Sequence, residues 1–160
     1  MNESPLGKAV VGVHLVAGTD GQWFKPDWRP GASDYDYSPG AVHAFREWLR
    51  RRYEGNLSRM RDAWDDSDVT FDTASMPDEK QRSPDQWFLD PEAGKDRRVI
   101  DANLFSDAGK METLNHFARE FKQAITRPMF VSAYVHNKLH ANRVWIESPW
   151  LDGTLAVQEY

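Results

Sequence analysis

Lys8-Ala9-Val10-Val11-Gly12-Val13-His14-Leu15-Val16-Ala17 is a nearly unbroken apolar run rich in β-branched residues, and Gly18-Thr19-Asp20-Gly21 ends it. Continuous rather than alternating hydrophobicity is the pattern of a strand covered on both faces, as in a parallel sheet flanked by helices. The run therefore predicts a first strand over residues 8–17. A second apolar run, Met129-Phe130-Val131-Ser132-Ala133-Tyr134-Val135, follows the helix-stopping pair Arg127-Pro128 and predicts a strand near 129–136. A third strand is expected near 151–157, after a short helix around Leu139 to Ile146 and a turn at Ser148-Pro149.

Helices fill the space between these runs. Ser38-Pro39 supplies a cap and a first-turn proline for a helix with apolar residues at Val42, Phe45, Leu49 and Tyr53, closed by Gly55. Asn56 caps a shorter helix carrying Leu57, Met60 and Trp64. From Asp65 to Asp96 the chain is polar and broken by Pro77, Pro84 and Pro91, which reads as loop or insertion. A long helical pattern then runs from about Arg98 to Thr126, with Gly109 inside it as a potential break. The order β, α, α, β, α, β implies right-handed parallel crossovers. It fits either a compact open sheet of three strands or a slice of a larger closed barrel.

Composition narrows the class. The chain has 160 residues, enough for one domain of ordinary size, with a net charge of −5 and a mean hydropathy of −0.72. No stretch approaches the roughly 20 consecutive apolar residues of a membrane span, and Met1-Asn2-Glu3-Ser4-Pro5 lacks the basic-then-apolar order of a leader, so the cytoplasm is the default expectation. The absence of cysteine excludes disulfides, thiolate zinc sites and cysteine nucleophiles together. An acidic balance argues against a nucleic-acid partner, and Arg50-Arg51-Arg52 reads as a solvated helix face. The aromatic content of 7 Trp, 5 Tyr and 8 Phe can supply sugar-stacking platforms as well as core. The long loop from Gln22 to Tyr37, too irregular for either period, is a natural place for such platforms.

Asp34-Tyr35-Asp36-Tyr37-Ser38-Pro39, Ala44-Phe45-Arg46-Glu47-Trp48-Leu49-Arg50-Arg51-Arg52-Tyr53, Leu57 and Ala63-Trp64 are similar to the "Y-S-P … F-R-x-W-L-x-x-K-Y-G … L-N-x-A-W" signature of glycoside hydrolase family 42. His140-Ala141 and Glu147-Ser148-Pro149-Trp150-Leu151-Asp152 resemble a second passage of the same β-galactosidase-type enzymes. The resemblance implies an α/β fold in which residues 1–160 form a segment of a (β/α)8 TIM barrel, three parallel strands with outer helices. By analogy they would be barrel strands four to six. It further implies a retaining mechanism on O-glycosidic bonds, in which one carboxyl protonates the leaving oxygen and another, about 5 Å away, attacks the anomeric carbon.

In that family the acid/base Glu follows the fourth strand in a "G-x-x-G-E-W" setting. Here the corresponding stretch is Gly18-Thr19-Asp20-Gly21-Gln22-Trp23, so Gln22 stands at the acid/base position. An amide can hydrogen-bond a glycosidic oxygen but cannot give a proton and take it back. No residue matches the family's nucleophile, which belongs to a later strand. The implied function is therefore a fragment or decayed glycoside hydrolase, inactive alone, or alternatively a non-catalytic carbohydrate-binding or assembly module. The candidate sugar contacts are Trp23 and Trp28 in the aromatic loop, which otherwise pack that loop, Tyr134 and His136 at the end of the second strand, which otherwise line the barrel, and Tyr160, which by analogy sits at the end of a barrel strand.

Other candidates carry blander readings. Asp20 is a turn former, Phe24 packs the loop or floors a subsite, and Glu159 lies near a strand end one strand too early for a nucleophile. His14, mid-strand in an apolar run, reads as a core histidine, and His140 as a structural hydrogen bonder or a substrate contact. His136 and His140 have helical i, i+4 spacing, but no Glu follows the first as a zinc motif requires, so neither metal nor other cofactor is expected. The expected partner is carbohydrate, with no nucleic acid and no membrane. Self-association is expected through strand edges that a barrel slice would leave open.

Overall fold

The computed structural model of the chain describes residues 4–17, 22–23, 35–78, 81 and 89–135. Its elements are α1 (Pro5–Ala9), β1 (Gly12–Leu15), β2 (Gln22–Trp23), α2 (Pro39–Arg52), α3 (Leu57–Trp64), α4 (Gly94–Ala124) and β3 (Phe130–Val135). They divide into two compact units. Among the described residues, the first unit comprises 4–17, 22–23 and 107–135, and the second comprises 35–78, 81 and 89–106.

The second unit is helical, and its sequence punctuation acts as expected. The Ser38 hydroxyl accepts the Ala41 N–H at 3.3 Å with Pro39 in the first turn of α2, and the Asn56 side chain accepts the Arg59 N–H at 3.1 Å to start α3. Between the two helices the chain turns through Gly55, whose φ of +71° is the left-handed conformation that glycine adopts without strain. A spacing of four places Phe45 and Leu49 on one face of α2 and Tyr53 one turn further at its C-cap, and all three are buried. With Met60 and Trp64 of α3 and Ala102 of α4 they form the core, and the Phe45 ring lies 5.3 Å from that of Phe105. Leu89, Val99, Ile100 and Leu104 make a second buried cluster. Full burial of a ring such as Phe45 contributes roughly 1.5–3 kcal/mol.

The polar stretch after α3 has no regular secondary structure from Asp66 to Asp78, yet it is integral to this core. Val69, Phe71, Ala74 and Met76 are buried, and four arginines fasten the backbone and acids around them. Arg46 donates to the Ala74 carbonyl at 2.9 Å, Arg61 to the Val69 carbonyl at 2.8 Å and Arg98 to Asp66 at 3.0 Å, while Arg50 pairs with Asp72. The Arg50-Arg51-Arg52 run is thus not simply a solvated face. Arg51 is exposed, but Arg50 holds this stretch and Arg52 turns inward to a buried acid.

That acid is Asp101, fully buried on α4. Its carboxylate accepts from Arg52 Nε at 2.8 Å, Tyr53 OH at 2.5 Å and Trp64 Nε1 at 2.8 Å, with Arg97 Nε at 3.6 Å. Burial, and next the negative charge of Asp101, push the Tyr53 hydroxyl up to about 12. Tyr53 therefore remains a donor throughout the physiological range.

In the first unit Ser4 caps α1 by accepting the Gly7 N–H at 2.8 Å, with Pro5 at its first position. The Arg127 guanidinium donates to the Gly7 and Val10 carbonyls at the other end, each at 2.5 Å, where a cation is favoured. β1 and β3 pair in parallel with Gly12 opposite Phe130 and Leu15 opposite Ala133. The two residues of β2 pair with Tyr134 and Val135, again in parallel, and the strand order is β1-β3-β2.

These facts overturn the expected segment of a (β/α)8 TIM barrel with three parallel strands and outer helices. The described residues form a small, helix-rich mixed fold with four helices, and strands of only 4, 2 and 6 residues. The run 8–17 is not one strand, because the Ser4-Pro5 cap starts a helix that continues to Ala9 and leaves only Gly12–Leu15 extended. Nor is the run covered on both faces as a barrel strand must be. Val11 is 73% exposed, Val16 63% and Phe130 79%. The short helix expected at 139–146 and the strand expected near 151–157 lie outside the described residues. Gly109 does not interrupt α4, and no helix of the described residues is long and apolar enough to cross a membrane.

Three substitutions test these contacts. Asp101→Ala strands two guanidinium groups and two donors without their acceptor and should cost about 3–5 kcal/mol in urea unfolding, whereas Tyr53→Phe should cost only about 1 kcal/mol. A Cβ at Gly12 would lie 2.8 Å from both Cβ and the carbonyl oxygen of Phe130. Gly12→Ala should therefore speed amide exchange along β1 and leave α2 and α3 protected.

Candidate functional site

Of the residues expected to meet a sugar, the structure describes the backbone of Gln22, Trp23 and Tyr134 and brings the three together. In the parallel register Gln22 is the partner of Tyr134, and Trp23 of Val135, at the C-terminal end of β3. The pairing fits strand chemistry, since Tyr134 and Val135 close a run of β-formers. Trp28, His136 and Tyr160 lie outside the described residues, as do Asp20, Phe24, His140 and Glu159.

Further back along β3, where β1 is its neighbour, the side chains of the register pair His14 and Ser132 meet with Nδ1 and Oγ 2.9 Å apart. The Ser132 hydroxyl also lies 3.4 Å from the Val13 carbonyl, to which it donates. His14 is exposed, so it is not the core histidine that the apolar run suggested. The side chains of β1 alternate, and His14 falls on the face that is left uncovered.

Outside this strand end the buried acids among the described residues have structural partners. Asp96, 1% exposed near the start of α4, accepts the Asp90 N–H at 3.0 Å and so ties the preceding turn to the helix. Asp101 is surrounded by donors. Asp107, also buried, holds Lys110 Nζ at 2.9 Å. Burial pushes that ammonium down to about 8. Sequence reasoning missed all three acids, because a helical Asp looks the same in sequence whether it is solvated or buried.

An open cleft of about 1080 Å³ lies where the end of α3 meets the start of α4, with Asp62, Asp65, Glu92, Lys95 and Arg98 in its lining. The helices approach closely there, since a Cβ on Gly94 would come within 2.4 Å of the Trp64 carbonyl oxygen. Arg98 stacks 4.6 Å above the Trp64 ring and bonds Asp66, so its charge is already engaged. Among the described residues no group of three or more His, Asp or Glu could hold a metal ion. Comparison of the chain with protein-family models, curated proteins and solved structures finds no match in any of the three.

The partly buried ammonium makes stability depend on pH with a definite sign. Lys110 titrates near 8 when folded and near 10.5 when free, so between these values the unfolded chain binds more protons and stability rises with pH. Tyr53, raised from 10.0 to about 12, acts in the opposite sense above pH 10, where the unfolded phenol ionises first, the folded chain binds more protons and stability falls with pH. From pH 8 to 10 the native chain should gain stability relative to Lys110→Met, measured by urea unfolding at each pH. A constant difference would show that Lys110 is not desolvated.

Proposed function

We propose that the chain is a decayed member of the retaining glycoside hydrolases that family 42 exemplifies, and that it binds a β-galactoside at the C-terminal end of β3 without cleaving it. The supporting observation is the β2–β3 register, which sets Gln22 and Trp23 beside Tyr134 although they lie far apart in sequence. The family resemblance assigns Gln22 to the acid/base position, and Trp23 and Tyr134 are candidate sugar contacts on their own chemistry. Gln22 keeps a donor and an acceptor at the acid/base position, so its amide can hold a glycosidic oxygen or a ring hydroxyl. It has no acidic proton to transfer, and the leaving oxygen stays unprotonated. Trp23 offers an apolar face against which a pyranose can lie, the usual complement to a few placed polar groups in a sugar site. In this reading the aromatic ring supplies affinity and the amide supplies orientation.

The signature that carries the resemblance has a different role. Ser38 and Pro39 begin α2, Phe45, Leu49 and Tyr53 fill the core, and Trp64 bonds Asp101, so these positions build a framework. The chemical question rests on Gln22. Calorimetric titration with a β-linked galactose disaccharide should show saturable binding, with no free galactose released over hours. Trp23→Ala should weaken binding about tenfold, equivalent to about 1.4 kcal/mol, and Gln22→Ala by roughly 0.5–1.5 kcal/mol. Sustained turnover by the unmodified chain, or binding indifferent to both substitutions, would overturn the proposal.

A further inference from the structure

We draw no further inference here: the strongest candidate, the exposed apolar face that Val11 and Val16 beside β1 and Phe130 of β3 present, carries nothing because nothing in the structure shows what covers it.

Discussion

A carboxylate buried without exposure must have every lone pair answered, and Asp101 meets that demand with groups from three helices. Arg52 at the end of α2 and Tyr53 just after it, Trp64 at the end of α3 and Arg97 one turn back on α4 all converge on it. Removing such a charge from water costs several kcal/mol, and only well-aligned donors offset it. The cost makes the geometry selective, because a shift of any one helix would leave a donor or the acid unmatched. Phe45 and Leu49 supply the driving force for collapse, and Asp101 determines which packing satisfies the polar groups. The stretch from Asp66 to Asp78 follows the same logic on a smaller scale, with arginines meeting backbone carbonyls and acids around buried Val69 and Phe71.

The helices are legible in the sequence because their signals are local. Ser38-Pro39, Asn56 and Gly55 act within three or four residues of themselves, and the apolar stripe of α2 is a property of spacing alone. The strands are only half legible. The segment 8–17 has strand composition throughout, but the cap at Ser4-Pro5 competes for its first residues and wins as far as Ala9. Apolar continuity suggests two covered faces, yet it says nothing about what lies opposite, and Val11, Val16 and Phe130 are exposed. Asp101 is invisible for a related reason. Its partners on α2 and α3 lie 48, 49 and 37 positions away, and nothing at position 101 itself marks it as a hub.

The candidate site shows the same division between local and distant information. Gln22 stands out by local comparison with a family motif, and the nearness of Tyr134 emerges only from strand register. His14 reads as core in the sequence but is exposed, because its burial depends on the covering of the sheet, although its cross-strand partner Ser132 does satisfy Nδ1. In this protein the residues most like a glycosidase signature are largely framework. In the proposed reading the position that decides chemistry is a single amide, Gln22.

Framework and site can be observed separately in one spectrum of the isotope-labelled chain titrated with a β-linked galactose disaccharide. The backbone amide signals of Gln22, Trp23 and Tyr134 should move together along one saturable curve, while the Trp64 indole N–H, bonded to Asp101 at 2.8 Å, stays in place. Movement of the Trp64 indole signal with a silent β2–β3 end, or no movement at either place, would contradict the assignment of carbohydrate binding to Gln22 and its neighbours.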